Sequence, residues 1–69
     1  MIPDLSRSQI ESLIEEWILS ERNRAILKRR LIDGITYERL AYEFDMSISQ
    51  IKRIVYKSEE KIFKHLPLG

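Results

Sequence analysis

The chain has 69 residues with no cysteine, a single histidine (His65), and 12 basic against 11 acidic side chains, a formal charge of +1. That length predicts one domain over residues 1–69, whose core supplies only about 3–5 kcal/mol of net stability. The missing cysteines exclude disulfide staples and thiolate metal sites, and a lone histidine builds no zinc cluster.

Met1–Leu5 holds no basic stretch followed by an apolar block, so no secretion signal is expected. No apolar run approaches the ~20 residues that span a bilayer. A cytoplasmic protein without a membrane partner is the expectation. After a lead-in at Pro3-Asp4-Leu5-Ser6, two overlapping capping boxes, Ser6 with Gln9 and Ser8 with Glu11, announce a helix. Ile10, Leu13, Ile14, Trp17 and Ile18 then recur at i, i+3, i+4, i+7 and i+8, which makes residues 6–19 an amphipathic helix and a candidate dimerisation element. Ser20 caps a second helix running to about Asp33, with Ala25, Ile26, Leu27, Leu31 and Ile32 as its apolar residues and Gly34 as its stop. Thr36 caps a short third helix, Tyr37 to Phe44, and Asp45-Met46 makes a turn. A box of Ser47 with Gln50 then opens a long fourth helix reaching Lys64 or His65, before Pro67 and Gly69. With four helices, no strand pattern and no repeat, the fold class is all-α.

Charge is segregated along this order. Met1–Ser20 carries Arg7 against four acids, a net of −3; the second helix region, with Arg22, Arg24, Lys28, Arg29 and Arg30, comes to +3; Gly34–Met46 to −2; Ser47–Gly69 to +3. The basic run Arg22–Arg30 reads either as a solvated face or as a surface for phosphate or an acidic protein.

Tyr37–Tyr56 has the spacing of a helix-turn-helix. Ala41 is the small residue midway along the first helix, and Leu40, Phe44, Met46, Ile51 and Ile54 are the apolar positions that lock the pair. At 100° per residue, Ile51, Ile54, Val55, Ser58 and Ile62 gather within about 60° of one direction, the core side. Arg53 points nearly opposite, flanked by Ser49, Gln50, Tyr56 and Lys57. Short donors, then a bidentate-capable arginine, then cations reaching phosphate are what a major-groove face requires.

In these segments the chain resembles region four of the sigma-70-like factors, the module that recognises the promoter −35 element. The resemblance runs without gaps through the basic second helix, DGITYERLAYEF (Asp33–Phe44), the turn and SISQIKRIVYKSEEKIFKHL (Ser47–Leu66), so that residues 21–66 form the region-four-like part. It implies a recognition helix over 48–64, with base contacts from Ile48, Ser49 and Arg53 and a flanking cation at Lys52. The family often carries charge where this chain has Ile48 and Ser49, which implies a target other than a standard −35 hexamer. It tends to be apolar where Arg29 stands. It also implies a stand-alone protein of phage or mobile-element type.

The candidate base-contacting residues are therefore Ile48, Ser49, Gln50 and Arg53, and the candidate phosphate contacts are Ser47, Lys52, Tyr56, Lys57, Arg24 and Lys28. No residue set suits catalysis, a metal, a cofactor or a small-molecule substrate. Trp17 is expected as a core or interface anchor, and His65 as a solvated or dipole-complementing residue. Glu15-Glu16 is expected as a solvated acidic face, Tyr37 as packed with its hydroxyl exposed, and Tyr42 as outward. The leading function is sequence-specific binding of double-stranded DNA for transcriptional control, with a homodimer as a candidate assembly. The alternatives are an adaptor docking on RNA polymerase through the second helix, and a phage packaging or recombination protein.

Overall fold

The computed structural model describes residues 5–65, and the expected lead-in at Pro3-Asp4 and stop at Pro67 and Gly69 lie outside the described residues. Helix α1, Arg7–Trp17, starts where the Ser6 hydroxyl accepts from the Gln9 backbone N–H at 3.2 Å and Gln9 Oε1 accepts from the Ser6 N–H at 2.9 Å. Of the two overlapping boxes only this one forms, because Ser6 is the extended residue and Ser8 already lies in the first turn. The helix stops short of residue 19: Ile18 is extended (φ −110°, ψ 111°) and reaches the core from outside the helix.

Helix α2, Glu21–Leu31, is capped by Ser20, whose hydroxyl accepts from the Asn23 N–H. It ends two residues earlier than the sequence suggested. The Lys28 carbonyl takes the N–H groups of Ile32 and Asp33, the Arg29 carbonyl takes that of Ile35, and Gly34 turns the chain at φ 70°. Helix α3, Tyr37–Phe44, starts at Thr36. Its end is a Schellman turn in which the Met46 N–H donates to the Ala41 carbonyl and the Asp45 N–H to that of Tyr42. Asp45 takes the left-handed conformation there (φ 54°, ψ 50°), a place where aspartate is one of the few tolerated side chains. Helix α4, Ile48–Lys64, follows at once with Ser47 as N-cap.

The molecule is thus an all-α, four-helix domain, with no strand among the described residues. Helix α3 packs on α4, α2 lies against both, and α1 closes the bundle on α2 and α4. Ile14, Ile18, Ile26, Leu27, Leu40, Ile51, Val55 and Ile62 form the buried core, with at least one side chain from every helix. On α4 the inward direction is as the 100° rule places it, with Ile51, Val55, Ser58 and Ile62 buried and Ile54 half-buried. No helix is long and apolar enough to cross a membrane among the described residues.

Trp17, expected as a core or interface anchor, lies outside the buried core. Ile14 and Ile18 fill the inward direction, and Trp17 is left half-buried with its indole stacked on the His65 imidazole, centroids 3.5 Å apart and planes 4° from parallel. His65, exposed at the end of α4, is therefore a lid on the tryptophan as well as a residue at a helix C-terminus.

Candidate nucleic-acid interface

The outward face of α4 is set from both ends. At its start the Ser47 hydroxyl accepts from the Gln50 N–H at 3.1 Å, and Gln50 Oε1 accepts from the Ser47 N–H at 2.9 Å. This capping box satisfies two otherwise open donors of the first turn. It also ties down one lone pair of Gln50 Oε1 and fixes the side chain at the cap, leaving the amide NH2 without a partner among the described residues. Ser47 is likewise a cap first. Ile48 stands on the first helical position, 41% exposed, and Ser49, Lys52, Arg53 and Lys57 are exposed beyond it.

None of Lys52, Arg53, Lys57 and Lys61 has a carboxylate within 4.0 Å among the described residues. Lys64, one turn further on, faces Glu60 at 3.9 Å. Four cations of one helix thus stand open to solvent on its outer side and flanks.

Helix α2 is different, although it is the more basic segment of sequence. The Arg24 guanidinium donates to the backbone carbonyls of Ile18 and Glu15 and pairs with the Glu15 carboxylate, while Lys28 binds the other Glu15 oxygen. Arg29 holds Glu43 of α3 in a two-pronged contact at 3.1 and 2.7 Å, and Arg39 joins the same carboxylate at 3.2 Å. Such fork-on-carboxylate geometry suits arginine rather than lysine. The hydrogen bond from Lys28, together with its charge, holds the Glu15 carboxyl below its ordinary range. That from Arg29 does the same for Glu43, with Arg39 adding to it. Arg24 and Lys28, expected at phosphate, are therefore compensated within the fold, as is Arg29. Among the cations of α2, only Arg22 lacks both a carboxylate and a backbone carbonyl partner among the described residues; its Nε donates to the Asn23 side-chain oxygen.

Tyr37 joins these two surfaces. Arg30 donates to the Ile35 carbonyl at 3.0 Å and lays its guanidinium 4.2 Å from the centre of the Tyr37 ring. Lys52 Nζ sits 5.7 Å from the same ring, and Tyr56 meets it edge-on at 6.2 Å. One half-buried ring thus takes contacts from the end of α2 and from two turns of α4. Burial raises the Tyr37 phenol above its ordinary pKa, with Arg30 opposing. Tyr42, by contrast, is 87% exposed and faces outward.

The chemistry the surface supports is polyanion binding along α4. The sequence places Ser49, Arg53 and Lys57 together on that face, and the structure keeps them there. It moves Arg24 and Lys28 to the far side of the account, beside Glu15, and makes Tyr37 a support for Lys52 and Tyr56. The alternation of net charge between successive segments fits such pairings without naming the partners. The chain matches no protein-family model, no curated protein and no solved structure, so its reading rests on its own residues.

Proposed function

We propose that the protein is a sequence-specific double-stranded DNA-binding transcriptional regulator acting in the cytoplasm. It presents α4 to the major groove from the α3–turn–α4 unit, as the sigma region four that its sequence resembles does. The observation that carries this reading is the contrast between two basic helices. Arg24, Lys28, Arg29 and Arg30 of α2 are spent on Glu15, Asp33, Glu43 and backbone carbonyls, whereas Lys52, Arg53 and Lys57 of α4 have no carboxylate partner among the described residues. A docking surface for RNA polymerase on α2 has one such cation left, Arg22, which is why the α4 reading is preferred. Arg53 is the base-reading residue, Ser49 a short donor beside it, and Lys52 and Lys57 the phosphate contacts.

Selection of bound duplexes from a random pool tests this directly, followed by titration of the enriched site. Arg53→Ala is expected to cost about 1–3 kcal/mol and to relax the preference at one base pair, while Lys57→Ala weakens all sequences alike. No enriched motif, together with equal and salt-insensitive binding by wild type and Arg53→Ala, overturns the proposal.

A further inference from the structure

Beside α4, a recess of about 170 Å³ opens between the start of α2 and the flank of α4, walled by Ser20 and Asn23 on one side and by Lys57, Ser58 and Lys61 on the other. We propose that it binds a phosphate group, and that in the DNA-bound protein this is a backbone phosphate. The source of the phosphate rests on the function proposed above; the site does not.

Three observations converge on it. Helix α2 points its N-terminus into the recess, and of its first-turn N–H groups only that of Asn23 is taken, by the Ser20 hydroxyl. The helix dipole favours an anion at this end, where Glu21 also stands in the first turn. Second, Lys57 and Lys61 lie one turn apart on α4 with no carboxylate within 4.0 Å among the described residues. Like charges at i and i+4 repel, and an anion between them relieves that repulsion.

Ser58 is the third and most specific observation. It is the one polar residue of the buried set, 7% exposed, and its hydroxyl makes no hydrogen bond to a described residue. No side-chain polar atom sealed from solvent lacks a partner among the described residues. The free Ser58 hydroxyl therefore opens through its small exposed fraction into the recess it lines. A hydroxyl that reaches solvent between two lysines and a helix N-terminus is placed to donate to an anion in the recess. The position also suits DNA. Lys57 and Lys61 follow Arg53 at about 6 and 12 Å along α4, so the recess lies on the same helix as the proposed base-reading residue.

The test titrates inorganic phosphate into the ¹⁵N-labelled protein at constant ionic strength, using chloride as the control. Wild type, Lys61→Gln and Ser58→Ala are compared, and thermal unfolding shows that the variants fold. The expected result is a saturable shift of the Glu21, Arg22, Asn23 and Ser58 amides in wild type, weakened at least several-fold in both variants. In parallel, the salt dependence of binding to a random duplex is expected to flatten by about one unit of slope in Lys61→Gln. Local phosphate shifts with an unchanged slope, or in a protein that binds no duplex, support the site with free phosphate as its ligand; the second case removes the proposed function instead. Equal shifts with chloride, or no local shift whatever the slope does, overturn the site and leave the DNA reading standing.

Discussion

Removing the Ser47–Gln50 box asks what holds the leading end of α4. Replacing a serine N-cap by alanine costs about 1 kcal/mol within a range of about 0.5–2. Both hydrogen bonds of this box are exposed, so water replaces the lost partners and the lower half of that range applies. Ser47→Ala is thus expected to cost about 1 kcal/mol and Gln50→Ala about 0.5 kcal/mol. In a domain of this length each kcal/mol moves the melting midpoint by about 4–8 °C. Because the two bonds share both residues, the double variant should lose about 0.5 kcal/mol less than the sum of the single ones. Thermal and urea unfolding followed by circular dichroism measures all three. A Ser47→Ala protein as stable as wild type refutes the box. So does a Gln50→Ala protein as stable as wild type that loses DNA affinity. In that case Gln50 swings out to read a base and its role in the cap is not the resting state.

Two further outcomes follow from the core and from the ion pairs. Leu40 is fully buried, and Leu40→Ala should cost about 2–5 kcal/mol, comparable with the whole net stability, so that the cooperative melt is lost. Leu19→Ala, at a position 80% exposed, should stay within about 0.5 kcal/mol of wild type, and a large loss there by the same melt contradicts the packing described. For pH, Glu15 and Glu43 have carboxyls held below their ordinary value of 4.5 by Lys28 and Arg24 and by Arg29 and Arg39. On acidification the unfolded chain therefore takes up protons before the folded one does. Stability is fully present above 4.5 and is lost as pH falls through the lower folded-state values. Urea midpoints measured across that range should fall below it, and a Glu15→Gln/Glu43→Gln variant that keeps the same fall counts against these pairs.

What was legible in the sequence was local. Ser6 with Gln9, Ser20, Thr36 and Ser47 with Gln50 each mark a helix start, because a cap needs only three residues and its hydrogen bond closes within them. The inward face of α4 was equally readable, since Ile51, Val55, Ser58 and Ile62 follow from helix periodicity alone. The illegible part was the partnership of long side chains across the bundle. Glu15 lies 13 residues from Lys28, and Glu43 lies 14 from Arg29, distances that only the packing of α1 on α2 and of α2 on α3 can close. Trp17 could be assigned to an apolar stripe, but not to His65 at the other end of the chain. The recess at Ser58 was hidden for the same reason: a serine on an apolar face reads as core until a neighbouring helix is seen to end beside it.

The internal pairing of α2 has an orientational consequence. A chain with a formal charge of +1 exerts little net pull on a polyanion, yet Lys52, Arg53, Lys57 and Lys61 of α4 have no carboxylate partner among the described residues, while Arg24, Lys28 and Arg29 of α2 are paired with Glu15, Asp33 and Glu43. In the field of a polyanion such a body feels a torque before it feels much attraction, and it approaches with α4 leading. Neutralising Glu15 and Glu43 raises the total positive charge but spreads it around the molecule. The gain in attraction then comes with a loss of aim.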